Sequence, residues 1–337
     1  MDSFEAVMDA IKLKKPERVP VVPLVMTFAA RLNNIPYSRY CQDSRALAES
    51  QLRCAKTFNY DLVTVCSDAY REASAIGEKI EFPYDGVPFC KERLIKSEAD
   101  FKNLKLPDVR KCERTADRIN GVRLLSNSVK NNLPVFGWIE APFQETSILR
   151  GLTEMMRDLY SKPEFVKEVL EFVCDVEIEF GLAQIEAGAD VIGAGDAVAS
   201  MISKKHFNEY ELPYIKKVFR KLKEAGAKTK YHICGNAGHL VELLGEIDAD
   251  IINFDYYVDL KEAKRLIGNK VCIKGNIDPV AVLLQGNPDS IATACNKCID
   301  DAGPDGFLLS PGCEVPTATS HENFKAMVKS AYDYKIQ

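Results

Sequence analysis

One histidine and two cysteines of this sequence are placed so that they could hold a metal ion. His232 and Cys234 stand two residues apart at the end of the apolar run Thr229–Ile233. Because alternate residues of an extended segment point the same way, their imidazole and thiolate can reach one ion. Cys313 follows the last apolar run of the chain. A His/Cys/Cys set with an open fourth position is typical of catalytic zinc, and thiolates favour zinc over magnesium or calcium.

A simpler interpretation of these residues stays open, namely a buried histidine bonded to a backbone carbonyl beside two small core cysteines. The chain has 11 cysteines, and an odd number scattered along a large chain argues against a disulfide framework. Cys295 and Cys298 form a Cys-x-x-Cys pair inside a helical pattern, without the second pair that a zinc ribbon needs. We therefore expect both to pack at least partly in the core.

Further polar side chains follow the apolar runs, where a parallel α/β fold carries its active site. Buried charges need partners, so a shared site explains their concentration there. Three of them, Asp68, Asp196 and Asp278, could equally cap the helices that follow. The candidate catalytic groups are Glu140, Asp196 and Asp255, and the candidate contacts for a cofactor are Asp68, Asn276 and Asp278.

Eight short apolar runs, which alternate with helical patterns, must position these side chains. This alternation predicts a (β/α)8 TIM barrel forming one domain over residues 1–337. A doubly wound open sheet is the alternative, but no Gly-x-Gly-x-x-Gly loop follows Val25. The predicted strands are Val19–Val25, Asp61–Cys66, Leu133–Trp138, Asp190–Ala194, Thr229–Ile233, Ile251–Phe254, Lys270–Lys274 and Gly306–Ser310.

Helical patterns fill most of the gaps, several of them opening at proline or ending before glycine. The segment Ile76–Arg123 fits neither helix nor strand cleanly, and we expect a long insertion with short strands, one of them around Lys79–Phe82. The predicted helices are Ser44–Phe58, Pro163–Ala187, Lys204–Ala225, Leu260–Ile267 and Asn287–Asp301.

Composition narrows the classes of function. The net charge of −5 offers no basic excess for nucleic acid or an anionic membrane, and 46% apolar residues suffice for a large core. Residues Met1–Lys15 predict an amphipathic helix without the apolar centre of a signal peptide, and no stretch is long enough to span a membrane. We expect a cytoplasmic protein.

The segment His232–Asn236 resembles the zinc-dependent methyltransferases of the uroporphyrinogen decarboxylase superfamily. These include methylcobalamin:coenzyme M methyltransferases and corrinoid-linked demethylating enzymes of anaerobes. The resemblance extends over nearly the whole chain and is most specific in its C-terminal half. The other matching segments are Pro16–Pro20, Gly188–Val191, Asp196–Ser200, Gly275–Pro279 and Pro311–Pro316.

The resemblance implies a (β/α)8 barrel with Zn²⁺ on His232, Cys234 and Cys313, and with Glu140 as a fourth or exchangeable ligand. It implies methyl transfer between a small methylated substrate and the cobalt of a separate corrinoid protein. The cobalamin belongs to that partner, because the chain lacks the Asp-x-His-x-x-Gly motif that binds it. A methylcobalamin:thiol methyltransferase is the alternative. The run from Gly137 to Glu140, with Leu149–Gly151, favours the demethylating direction.

The sequence departs from true uroporphyrinogen decarboxylases near its N-terminus. Those enzymes carry an arginine-rich segment that binds propionate groups, whereas the matching stretch here holds only Arg31. Asp68 does stand where the decarboxylases keep their central aspartate. Decarboxylation of a tetrapyrrole therefore stays an alternative to methyl transfer.

Overall fold

The structure is a computed structural model that describes residues 2–336. Within those residues, seven strands form one parallel sheet in the order β1, β4, β5, β6, β7, β8, β9, and β2 pairs with β3 as an antiparallel hairpin. The strands are β1 (Val63–Thr64), β2 (Ile80–Glu81), β3 (Phe89–Cys90), β4 (Val135–Glu140), β5 (Val191–Asp196), β6 (Lys228–Ile233), β7 (Ile251–Phe254), β8 (Cys272–Ile277) and β9 (Phe307–Pro311).

Helices follow most strands of the large sheet and pack against it. They are α1 (Ser3–Ile11), α2 (Thr27–Leu32), α3 (Tyr37–Gln42), α4 (Ser44–Phe58), α5 (Arg71–Ile76), α6 (Glu98–Lys102), α7 (Glu113–Val129), α8 (Pro142–Arg150), α9 (Leu152–Ser161), α10 (Pro163–Glu186), α11 (Lys204–Tyr210), α12 (Leu212–Glu224), α13 (Val241–Leu244), α14 (Leu260–Ile267), α15 (Pro288–Ala302) and α16 (His321–Asp333). Shorter 3-10 turns cover Ala199–Met201 and Gly238–Leu240, and a π-helix covers Pro279–Leu284.

The strands are covered on both faces. Every residue of β4, β5 and β8 is buried, as expected for a parallel sheet enclosed by helices. The register places Glu140 of β4 beside Gly195 of β5, Gly195 beside His232 of β6, and His232 beside Asn253 of β7. Residues that are far apart in sequence therefore meet at one level, near the carboxyl ends of the strands.

Two predicted strands differ from the observed ones. Residues 19–25 form no regular strand, although Val21 bridges Leu309 and Leu24 bridges Glu314 in parallel. The second predicted strand is reduced to the two residues of β1. Seven regular strands, rather than the predicted eight, therefore make up the large sheet within residues 2–336.

The predicted helices α4 and α14 have the bounds expected from their patterns, whereas the predicted helix Lys204–Ala225 is wrong because it is two helices, α11 and α12. Pro213 lies in the first turn of α12, where it has no N–H to continue a helix from α11. The insertion after β1 contains the expected short strand as part of the β2–β3 hairpin, together with α6 and α7. Between residues 2 and 336, no helix combines the length and apolarity of a membrane span.

Candidate metal centre

Three side chains converge where β6 and β9 end. His232 Nε2 lies 2.9 Å from Cys234 Sγ, which lies 3.7 Å from Cys313 Sγ. The three donor atoms are all within 4.8 Å of one another. The sequence-predicted donor set is thus brought together in space across 79 residues of chain.

The backbone around Cys234 is held by the neighbouring strands. The N–H of Cys234 donates to the carbonyl of Asp196 at 3.1 Å. Gly235 follows with φ of +79°, a left-handed conformation that favours glycine, and its N–H donates to Asp255 Oδ2 at 2.7 Å. Asp255 is buried and therefore fixes the loop that carries the thiol.

The chemistry of the donors fits a zinc ion. One imidazole nitrogen and two thiol sulfurs are the ligand types of catalytic zinc sites, which keep a further position for water or substrate. The hydrogen bond between the thiols lowers the pKa of Cys313 well below its ordinary value and raises that of Cys234. The ring of His232 packs against Trp138 with centroids 6.3 Å apart, and its Nδ1 is buried with no hydrogen-bond partner.

Two lysines lie on the strands beneath the donors. Lys230, two residues before His232, places its ammonium 4.3 Å from the centre of the Trp138 ring. Burial lowers the pKa of Lys230 to about 8. Lys274 is also buried, and it donates to Asn253 Oδ1 and to a serine hydroxyl, both at 2.8 Å. Burial also lowers the pKa of Lys274 well below its ordinary value, although the nearby thiols oppose this. The period-two spacing of both lysines from the predicted site residues was the signal that could have identified them.

Glu140 is the last residue of β4, two residues after Trp138. Its Oε1 accepts hydrogen bonds from Arg71 at 2.7 Å and from the Trp138 indole at 3.2 Å. Burial raises the pKa of Glu140 to about 8 although Arg71 opposes this. Its carboxylate is not among the described donor atoms that meet at the metal centre. Gly195 leaves room for it, because a Cβ there would lie 3.1 Å from Glu140 Oε2.

Asp68 is buried beside two arginines. Its Oδ2 accepts from Arg114, its backbone carbonyl accepts from Arg71, and Ser67 donates to it at 2.7 Å. Burial raises the pKa of Asp68, but the two arginines outweigh it and hold the pKa at about 2. Sequence reasoning missed Arg71 and Arg114, because arginines in helical patterns resemble solvent-facing residues.

The remaining predicted residues shape the loops that surround the centre. Asp196 accepts from the N–H groups of Val198 and Ala199 at 3.0 and 2.8 Å, which holds the turn after β5. Asp278 caps the π-helix after β8, as the capping alternative predicts. Asn276 donates to the Asp255 carbonyl at 2.9 Å. Asn276 and Asp278 also line a cleft of about 500 Å³ beside these loops.

The Cys-x-x-Cys pair behaves as expected for core residues. Cys295 is fully buried and Cys298 is half-buried on α15. Burial raises the pKa of Cys295 above its ordinary range. Within residues 2–336, the pair is not part of the group of donor atoms that could hold a metal ion.

A parallel α/β sheet with a His/Cys/Cys centre at its carboxyl edge defines the class of protein. A family model described as Uroporphyrinogen decarboxylase (URO-D) matches residues 2–334. The match covers nearly the whole chain, and the chain therefore belongs to the uroporphyrinogen decarboxylase family.

Within this family, the chain is similar to proteins with two different names. It is 29% identical over 339 residues to methylcobamide:CoM methyltransferase MtbA of Methanosarcina acetivorans, covering 98% of each chain. It is 25% identical over 310 residues to uroporphyrinogen decarboxylase of Neisseria meningitidis serogroup B, covering 88% of this chain and 85% of that one. The methyltransferase is thus matched over a larger share of its length.

Solved structures share the fold. A methyltransferase from Methanosarcina mazei superposes with a TM-score of 0.91 at 20% identity, covering 99% of each chain. A B12-independent methionine synthase from a Shewanella species superposes with a TM-score of 0.58 at 14% identity, covering 86% of this chain and 85% of that one.

Proposed function

We propose that this protein is a zinc-dependent methyltransferase that exchanges a methyl group with the cobalt of a separate corrinoid protein. The observation that carries the proposal is the convergence of His232, Cys234 and Cys313, with donor atoms within 4.8 Å of one another. Similarity to a methylcobamide:CoM methyltransferase over 98% of each chain supports the same activity.

We propose further that the large sheet is the wall of a (β/α)8 barrel, closed by residues 19–25. Val22 donates to the carbonyl of Leu309 at 2.9 Å, and Leu309 donates to that of Pro20 at 2.9 Å. On the other side, Asp61 donates to Val21 at 2.8 Å, just before β1. These bonds support a segment that joins β9 to β1. In a barrel closed in this way, the metal centre would lie at the mouth.

Bound zinc would act as a Lewis acid that lowers the pKa of a thiol or polarises a leaving heteroatom. The protein's own residues position the reactants around it. Asp255 fixes the Cys234–Gly235 loop through the hydrogen bond at 2.7 Å. Lys230 offsets the negative charge of the two thiolates. Glu140 stands near the mouth as an acid that can hold or release a proton, because burial raises its pKa to about 8. Asp196 and Asp255 would also orient the substrate.

Exposed apolar side chains on three neighbouring loops support docking of a partner. Met201 after β5, Tyr257 after β7 and Val280 after β8 are 64%, 58% and 49% exposed. Loops that follow the carboxyl ends of strands in one parallel sheet lie at the same edge of that sheet, which is the edge that carries the metal centre. A corrinoid domain bound there would bring its cobalt towards the substrate, while Asp68, Asn276 and Asp278 would contact the cofactor.

The direction of transfer is the finer part of the proposal. The segment from Gly137 to Glu140 favours removal of a methyl group from a small substrate, whereas the name of the Methanosarcina acetivorans relative favours a thiol acceptor. Both directions use the same three donors, and zinc held by two thiolates can bind a sulfur substrate as well as an oxygen or nitrogen one. We propose that a thiol accepts the methyl group from methylated cobalt. The alternative is the opposite direction, in which a methylated substrate donates its methyl group to cobalt.

The test measures whether the absorbance spectrum of cobalamin changes on methyl transfer and whether that change requires zinc. The protein is loaded with zinc and mixed with methylcobalamin and a panel of thiols, then with Co(I) cobalamin and a panel of methyl donors. We expect the spectrum to change in one of these directions and the change to stop after chelation of zinc. A spectrum that stays constant across both panels, with zinc bound, would contradict the proposal.

A further inference from the structure

Four glutamates gather where α5, α8 and α10 pack beside β4, the strand that carries Glu140. Glu72 on α5 and Glu140 on β4 are joined at 3.1 Å, where the backbone N–H of Glu140 donates to Glu72 Oε1. Glu145 on α8 and Glu177 on α10 lie on helices that pack against each other, and α5 packs against both. Glu72, Glu145 and Glu177 are fully buried, and Glu140 is 4% exposed.

Two of the four have no visible partner. Both carboxyl oxygens of Glu145 and both of Glu177 are buried without a hydrogen bond within the described structure. An ionised carboxylate in that position costs several kcal/mol, so each group must hold a proton, share one or bind internal water. The arrangement therefore predicts protonated carboxyl groups inside the fold at neutral pH.

The charge of the cluster leads to the same conclusion. Arg71 is the cation that faces Glu140, Glu145 and Glu177. Its Nη2 is committed to Glu140 at 2.7 Å, its Nη1 to the carbonyl of Asp68, and its Nε lies 3.4 Å from Glu72 Oε2. One guanidinium cannot neutralise four carboxylates, so some of the four retain protons.

Within residues 2–336, Arg71 is the cation whose charge opposes a raised pKa of both Glu145 and Glu177. Burial raises the pKa of Glu145 and Glu177 well above the ordinary range, and the neighbouring carboxylates of Glu72 and Glu140 raise it further. Glu78, in the segment after α5, acts in the same direction on Glu145. The negative charges around Glu145 and Glu177 thus favour the protonated form of both groups.

We propose that the carboxyl groups of Glu145 and Glu177, with that of Glu72, form a buried proton store, that is, a group of acids that holds and releases protons. The store exchanges a proton with the metal centre through Glu140. The inference rests on the proposed methyl transfer, because that reaction releases or consumes one proton at the metal centre. The residues of the store hold protons and do not themselves belong to the donor set of His232, Cys234 and Cys313.

The balance of atoms shows what the store would receive. When a thiol takes the methyl group, the S–H bond breaks, an S–C bond forms, and the Co–C bond breaks with its electron pair kept by cobalt as Co(I). The thiol proton passes to a carboxylate of the store and later to solvent. In the reverse direction, a protonated carboxyl supplies the proton to the leaving heteroatom and is then protonated again from solvent.

Infrared spectroscopy of the zinc-loaded protein tests the store without turnover. A protonated carboxyl has a carbonyl stretch that is distinct from the bands of a carboxylate and shifts in D₂O. We expect this band in the wild type at neutral pH, its weakening in Glu145→Gln and in Glu177→Gln, and a further weakening in the double variant, where Glu140 still contributes. Addition of 2-mercaptoethanol should strengthen the band in the wild type and leave it unchanged in the double variant.

Glu168→Gln is the matched control, because Glu168 is an exposed residue of the same helix as Glu177. If Glu145→Gln fails to fold, Glu177→Gln and Glu177→Asp carry the test. A band whose intensity is unchanged by all these substitutions, or a wild-type band that does not respond to the thiol, overturns the store. Since the readout is independent of cobalamin, its failure is distinguishable from failure of the methyltransferase proposal.

Discussion

The candidate metal centre consists of one histidine and two cysteines, which are residue types typical of a zinc site. Replacement of Cys234 or Cys313 by alanine should abolish tight zinc binding, because two remaining ligands cannot hold the ion. Cys295→Ala is the control, since Cys295 is buried on α15 away from the donors. Zinc content after dialysis measures the effect. Loss of zinc from the Cys295 variant with retention by the other two would contradict the assignment.

Asp255 is expected to affect metal binding indirectly, because it holds the loop that carries Cys234. Asp255→Ala removes the acceptor at 2.7 Å from the Gly235 N–H, so the loop loses its orientation. We expect zinc affinity to fall by roughly 10–100-fold, as for other residues that orient ligands. Asp259→Asn should leave the affinity unchanged, because Asp259 only caps α14. Competition with a chromophoric chelator measures both values, and equal affinities in the two variants would refute the role of Asp255.

Glu140 is expected to affect turnover more than metal binding. Its carboxylate is bonded to Arg71 and Trp138 rather than to the described donor set. Glu140→Gln should therefore slow methyl transfer by about 10²-fold or more, a typical contribution of acid–base groups, while zinc content stays full. The cobalamin absorbance change and metal analysis of the same sample separate the two effects. Zinc lost in parallel with activity would instead make Glu140 a ligand.

Among individual residues, the candidate metal donors are easier to predict from the sequence than the buried residues around them. His232, Cys234 and Cys313 are identifiable because few residue types bind zinc and because strand ends converge. Glu145 and Glu177 are not identifiable, because a glutamate in a helical pattern is usually exposed and nothing local shows that α8 and α10 bury theirs together.

The buried glutamates of β4, α8 and α10 should make the free energy of unfolding depend on pH. Burial raises the pKa of Glu140 from 4.5 to about 8, and it raises those of Glu145 and Glu177 as well. The folded state then binds these protons more tightly than the unfolded chain does. Stability is full below the unfolded value and falls as pH rises from about 4.5 towards about 8.

Urea unfolding at a series of pH values measures this dependence. Glu177→Gln should reduce the slope over that range, because one titrating group is removed, and Glu168→Gln should not change it. Asp68 acts in the opposite sense, since its pKa is lowered from 3.8 to about 2 and its stabilisation is lost as pH falls through that range. A wild-type stability that is constant up to pH about 8 would show that the buried acids are ionised at little cost.

Element bounds were predictable where the end of a helix has its own chemical signal. Helix α4 begins after Asp43, whose side chain accepts from the N–H groups of Arg45 and Ala46. Helix α14 begins after Asp259 in the same way. Residues 19–25 lack such a signal, and whether they pair regularly depends on β9, which is nearly the full chain length away. Local pattern cannot determine that pairing.

For the whole molecule, family membership leaves decarboxylation of uroporphyrinogen as the competing activity. Several propionate groups need several cationic partners, and the segment from Val25 to Arg31 supplies one arginine, which lies on α2. The arginines beside Asp68 are already committed to Asp68 and Glu140. We expect no coproporphyrinogen from the purified protein in a fluorescence assay of oxidised porphyrins. Formation of that product would favour the decarboxylase over the methyltransferase.

Zinc should matter to the chemistry of this molecule and little to its folding. A chain of 337 residues buries most of its surface without a metal, unlike small zinc domains that unfold when the ion is removed. Chelation should therefore stop the cobalamin reaction while the circular dichroism spectrum and cooperative thermal unfolding persist, with the midpoint lowered only by the linkage to zinc binding. Restored zinc should restore turnover. A chelated protein that loses its helical signal would show that the three donors hold the sheet together, and the centre would then be structural.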